Sequence, residues 1–114
     1  MTYYDREVQR LLDEAYETGK VLLIKFKKAC GDPNVYGSMD VRTAWTKIHW
    51  TGQKWVVRTY DPFKDTVEEL WCPGRDSVRV ENGAICTDSP DGNAVQYING
   101  TCGMEVVDPW RKEE

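Results

Sequence analysis

The stretch Ala44 to Tyr60, AWTKIHWTGQKWVVRTY, constrains the chain most, because it reads as a β-hairpin with a fixed register. Gly52-Gln53 sits at its centre. Glycine at the first central position suits a type II′ turn, whose backbone twist matches that of the flanking strands. A two-residue loop there sets Thr51 against Lys54. Trp50 then lies opposite Trp55, Ile48 opposite Val57 and Thr46 opposite Thr59. Strand side chains alternate with period two, so these pairs share one mostly apolar face, the expected core. The opposite face carries His49 with Val56, Lys47 with Arg58, and Trp45 with Tyr60. A slip of one residue would exchange the two faces.

The rest of the chain arranges itself around this hairpin. Residues 3–18 predict a helix. Thr2 is its expected N-cap and Asp5 a capping-box partner. Tyr4, Val8, Leu11, Leu12, Ala15 and Tyr16 recur at three- and four-residue steps and form one apolar stripe. Gly19 suits the position just past the helix end. Lys20 to Lys28 reads as a strand, with Leu22, Ile24 and Phe26 on one face and Lys25 and Lys27 on the other. Residues 29–40, ACGDPNVYGSMD, read as a long loop.

Beyond Tyr60, the DPFKD segment is a turn with Pro62 well placed. Thr66 to Cys72 follows as a strand whose facing is ambiguous, since apolar residues and glutamates fall on both faces. Pro73-Gly74 breaks it. Ser77 to Glu81 and Ala84 to Thr87 read as a hairpin joined by Asn82-Gly83. Ser89 to Gly92 is a further turn, and Asn99-Gly100 lies between strands at Ala94–Ile98 and Thr101–Val107. One helix followed by short strands at regular spacing predicts an α+β chain, mainly antiparallel β. The expected architecture is an N-terminal helix packed on a small SH3- or Sm-like barrel, or on a curved β-meander. Residues 1–110 form a single domain and 111–114 a solvated tail. A chain of 114 residues suits one domain, burying roughly 60–70% of its unfolded surface.

Charge and cysteines narrow the function classes. Net charge is −4, unevenly spread. Residues 1–57 carry nine Lys/Arg and seven Asp/Glu, a balance of +2; residues 58–114 carry six and twelve, a balance of −6. An acidic half argues against direct nucleic-acid binding, which needs cations against phosphates. It suits a basic partner, although acids also serve plain solubility. The longest apolar run, Val21 to Ile24, is far short of a membrane span. No secretory leader is read at Met1, so the expected setting is cytoplasmic. Cys30, Cys72, Cys86 and Cys102 lack zinc-site or redox spacing, so free thiols are expected. A Cys86–Cys102 bridge is the alternative.

No cofactor and no metal site is expected, and no catalytic set stands out. His49 is the lone histidine, without an orienting partner in sequence. Glu68 and Glu69 are adjacent and so point to opposite faces of a strand. The glycines at 31 and 37 fit no phosphate-loop spacing. The first expectation is a small non-enzymatic interaction protein that binds or inhibits a protein partner through an acidic, aromatic-rich surface. An inhibitor or regulator of a nucleic-acid-processing complex, of the phage or mobile-element type, would look like this. Its candidate residues are Asp61, Phe63, Asp65, Glu68, Glu69, Trp71, Asp76 and Glu81. The alternative is a ligand-sensing module on the face holding Trp45, Lys47, His49, Arg58 and Tyr60.

The order of elements resembles the WYL domain, an Sm-like barrel of bacterial regulators. Leu11 to Lys28 looks like that family's helix and first strand. Gly52 to Tyr60 looks like its hairpin, with Trp55-Val56-Val57 at the Trp-Tyr-Leu-like triplet and Val56 where the family has tyrosine. The segment LWCPGRDSVRV, residues 70–80, is similar to the family's closing segment, with Arg75 near its arginine. The likeness covers roughly residues 8–80. It implies a barrel-like architecture and, for the alternative function, a nucleotide or other anion as ligand.

Overall fold

The computed structural model describes residues 3–31, 40–81, 84–88, 95–97 and 101–108. Helix α1 spans Tyr3–Thr18, as its stripe predicts. Val8, Leu11, Leu12 and Ala15 are buried, with Tyr16 packed against them. The helix stops at Gly19, whose φ of 73° is a left-handed conformation that favours glycine. The Gly19 N–H still reaches back to the Ala15 carbonyl at 3.0 Å. Asp5 is buried in the first turn; its expected partner Thr2 lies outside the described residues.

Among the described residues eight strands follow: β1 Val21–Cys30, β2 Asp40–Trp50, β3 Trp55–Asp61, β4 Thr66–Cys72, β5 Val78–Glu81, β6 Ala84–Thr87, β7 Val95–Tyr97 and β8 Thr101–Val107. They form a five-stranded antiparallel sheet, in order β4-β3-β2-β1-β8, and a three-stranded sheet, β5-β6-β7. The fold is α+β with one N-terminal helix on mostly antiparallel strands. The barrel is not closed: β4 and β8 are both edges of the larger sheet.

The β2–β3 register follows from the turn. Trp50 faces Trp55, Ile48 faces Val57 and Thr46 faces Thr59. The Thr51 N–H closes the turn on the Lys54 carbonyl at 2.9 Å, and Gly52 takes a φ of 101°. Both strands of the preceding hairpin run further than the sequence suggests. Pairing extends to Cys30 with Asp40, so the expected loop at 29–40 gives up both its ends to the sheet. Extension lets those backbone groups bond to each other, and Lys27 Nζ reinforces it by donating to Thr43 Oγ1 at 2.9 Å. Residues 32–39 lie outside the described ones.

The ambiguity of β4 is resolved by its pairing. Cys72 faces Trp55 and Leu70 faces Val57, so these two turn inward while Val67, Glu69 and Trp71 turn outward. The chain then rounds a corner at Pro73-Gly74, with one 3-10 turn at Arg75–Ser77. The Ser77 N–H donates to the Gly74 carbonyl at 3.1 Å, and the Asp88 N–H donates to the Ser77 carbonyl at 2.7 Å. Glu81 pairs with Ala84, which leaves two residues to make the turn, as Asn82-Gly83 suggests; those two lie outside the described residues. So do Ser89 to Gly92 and Asn99-Gly100. The two strands flanking Asn99-Gly100 join different sheets: β7 pairs with β6, and β8 pairs with β1.

One core serves both sheets. The α1 stripe packs against Leu22, Ile24, Ile48, Trp55, Val57 and Cys72 of the larger sheet and against Val78, Val80 and Ile85 of the smaller. Met104 and Val106 of β8 complete it. Cys72 and Cys86 are free thiols, and burial pushes the Cys72 thiol up from its ordinary range. No described helix is long and apolar enough to cross a membrane.

Candidate functional site

Alternation along the strands gives the larger sheet a second face, opposite α1. β2 contributes Trp45, Lys47 and His49, β3 contributes Val56, Arg58 and Tyr60, and β4 contributes Val67, Glu69 and Trp71. The register sets them in three rows across the strands: His49–Val56–Trp71, Lys47–Arg58–Glu69 and Trp45–Tyr60–Val67. The middle row is charged. The rows on either side are aromatic or aliphatic but for His49.

Each charge in this array has a partner. Arg58 Nε donates to Glu69 Oε2 at 2.7 Å, and Trp71 Nε1 donates to Glu69 Oε1 at 2.7 Å. The Arg58 bond first, and the indole bond second, hold the Glu69 carboxyl below the usual carboxylate range. Lys47 Nζ stands 4.4 Å from the Trp45 ring centroid, and Lys54 Nζ stands 3.6 Å from that of Trp71. Trp45 and Tyr60 stack at 5.6 Å with planes 15° apart. The Tyr60 hydroxyl donates to Asp65 Oδ1 at 2.9 Å, which raises the phenol above its ordinary value.

The structure thus joins residues from two candidate sets that the sequence holds apart. Trp45, Lys47, His49, Arg58 and Tyr60 do share a face, but Glu69 and Trp71 share it with them. Glu69 occupies Arg58, the cation an anion would need. The other acidic candidates spread out. Asp61 organises the β3–β4 turn: its Oδ1 accepts from the Phe63 N–H at 2.9 Å and its Oδ2 from Lys28 Nζ at 3.0 Å. Those bonds lower its pKa, the Phe63 amide foremost. Phe63 in that turn lies under the Arg42 guanidinium, 5.0 Å from its centroid. Glu68 is exposed on the opposite side of β4 from Glu69. Asp76 belongs to the corner turn, and Glu81 to the smaller sheet, where it accepts from Arg79 at 2.8 Å.

Val67 belongs to the array and is absent from the sequence candidates. Its signal was the period-two spacing from Glu69 and Trp71, which the undecided facing of β4 concealed. It is 52% exposed and Trp71 is 55% exposed, two of the three large apolar side chains most open to solvent among the described residues.

A second concavity lies on the helix side. A cleft of about 320 Å³ opens between α1 and the corner turn, bounded by Asp13, Tyr16, Trp55, Arg75 and Arg79. The Arg75 guanidinium lies 4.2 Å from the Tyr16 centroid and 3.5 Å from an Asp13 oxygen. Arg75 therefore stands in this cleft and not on the Trp45 face. Among the described residues no group of three His, Cys, Asp or Glu side chains could hold a metal ion. No protein-family model, curated protein or solved structure matches the chain.

Proposed function

We propose that this chain is a non-enzymatic interaction protein that binds a protein partner through strand β4. The observation that carries the reading is Trp71. A tryptophan 55% exposed, beside Val67 at 52% on an edge strand, matches the aromatic anchors on which interfaces concentrate their energy. Glu68 and Glu69 give the strand a negative charge, which favours a basic partner and speeds encounter with it. A nucleic-acid-processing protein has such a basic surface, and covering it would inhibit or regulate that protein. The free Cys72 and Cys86 thiols support a cytoplasmic setting.

The test pairs two variants against the partner recovered from native lysate. Trp71→Ala is expected to weaken binding by about 2 kcal/mol or more, roughly 30-fold, if Trp71 is an anchor. Reversing Glu68 and Glu69 to Lys is expected to slow association and to abolish its salt dependence. An unchanged association rate with unchanged salt dependence leaves these acids as solvating groups and refutes the reading.

A second reading keeps the WYL-like ligand module, with a nucleotide or other anion on Trp45, Lys47, His49, Arg58 and Tyr60. The Lys47–Trp45 contact favours it, and the commitment of Arg58 to Glu69 weighs against it. Replacing Lys47 and Arg58 by Ala separates the two. Protein binding survives that change, whereas a nucleotide-induced thermal shift would vanish.

A further inference from the structure

A strand at the margin of a sheet hydrogen-bonds on one side only. Strand β4 is flanked by β3, and no described strand pairs with its other side. The direction of its backbone groups follows from the β2–β3 turn. Thr51 and Lys54 are a bonded pair, and bonded and unbonded pairs alternate along an antiparallel ladder. His49–Val56, Lys47–Arg58 and Trp45–Tyr60 are therefore bonded, and Trp55, Val57, Thr59 and Asp61 turn their backbone toward β4. Their β4 partners are Cys72, Leu70, Glu68 and Thr66. The residues between, Val67, Glu69 and Trp71, aim N–H and C=O at the open edge. They are also the residues whose side chains stand on the outer face. Backbone donors and acceptors with no partner strand among the described residues coincide with the exposed anchors.

We propose that β4 is a docking edge for an extended basic segment of the partner, which adds antiparallel as a sixth strand. This rests on the protein-binding reading above and specifies its occupant and mode. Strand addition draws affinity from main-chain bonds and specificity from alternate side chains. The charge of the edge selects the occupant. The seven residues of β4, TVEELWC, include two glutamates and no cation. Like charges directly opposed across a ladder destabilise it. A second copy is disfavoured on that ground, because two-fold pairing over the full strand sets Glu69 against Glu69. Lysine or arginine opposite Glu69 and Glu68 satisfies both. Each Glu69 oxygen accepts one bond already, from Arg58 or from Trp71, and retains a lone pair for a further donor. Apolar residues opposite Trp71 and Val67 complete the outer face. The partner motif, read from its N-terminus, is apolar, any, basic, basic, apolar.

The probe is a blocked synthetic peptide, Thr-Val-Thr-Lys-Lys-Val-Thr, titrated into the isotope-labelled protein and followed by NMR. Two controls accompany it: one with Glu-Glu for Lys-Lys, and one N-methylated at the first lysine, which would lie opposite Glu69. The Lys peptide is expected to bind saturably and to slow amide exchange at Val67, Glu69 and Trp71 by about tenfold or more. Both controls are expected to bind at least about tenfold more weakly. Failure of the Lys peptide to bind overturns the proposal, as does equal binding by the Glu peptide. Binding that ignores N-methylation, or leaves those three amides exchanging as before, also overturns strand addition. Neither result touches the protein-binding face itself, which stands or falls on Trp71→Ala and the Glu68 and Glu69 reversal against the native partner.

Discussion

Trp55 ties together three parts of the molecule. Its ring is 2% exposed, meets Trp50 edge-on at 5.3 Å and lies 6.1 Å from Tyr16 of α1. Its indole N–H donates to the Arg75 carbonyl in the corner turn at 2.8 Å. Trp55→Ala is expected to destabilise the fold by about 3–5 kcal/mol, a large part of the roughly 5–15 kcal/mol that holds a small domain. A urea midpoint equal to that of the unaltered protein would contradict this. Half of the Trp55 environment was legible in the sequence. Its pairing with Trp50 is a local matter, set by the two residues Gly52 and Gln53. Its bond to Arg75 is not, because nothing in the sequence tells where the chain returns after Pro73.

At the scale of elements, β3 and β4 are joined by their ladder and by the Arg58–Glu69–Trp71 bonds across it. These carry a pH dependence whose sign follows from the shifts. Glu69 and Asp61 have folded pKa values below their ordinary ones, Glu69 through Arg58 first and Asp61 through the Phe63 amide first. A depressed carboxyl contributes stability in full above its unfolded pKa, about 4 for both residue types. The contribution is lost as pH falls through the folded value. The urea midpoint is expected to fall as pH drops from about 5 toward 3, and Glu69→Gln to remove part of that slope. The pair is exposed, so the effect is small. A Glu69 carboxyl titrating by carbon NMR at or above about 4.3 rules the account out. The sequence left β4 undecided for a definite reason. Val67, Glu69 and Trp71 look as much like a half-buried set as Glu68, Leu70 and Cys72 do. Only the pairing of Cys72 with buried Trp55 breaks the tie, and with it the composition of the outer face.

The whole molecule is two sheets held by one helix, with β8 laid beside β1. That crossing was not legible. Asn99-Gly100 is a strong local turn signal, whereas the pairing of Val107 with Val21 and of Val106 with Leu22 joins distant parts of the chain. Deleting residues 101–114 removes Val107, which is 4% exposed, together with Met104 and Val106 from the core. Full burial of one such side chain is worth about 1.5–3 kcal/mol, and Met104 and Val106 are partly buried, so the loss is a large part of the stability of a small domain. The shortened chain is expected to lose its cooperative thermal transition by circular dichroism, and retention of a sharp melt near that of the full chain would contradict this. The same placement of β8 governs how the protein is made. Synthesis runs from the N-terminus, so β1 leaves the ribosome well before β8, the strand that pairs with its far edge. Until residue 107 has emerged, the edge of β1 that β8 covers stays bare, which makes the nascent chain a client for any factor that shields strand edges.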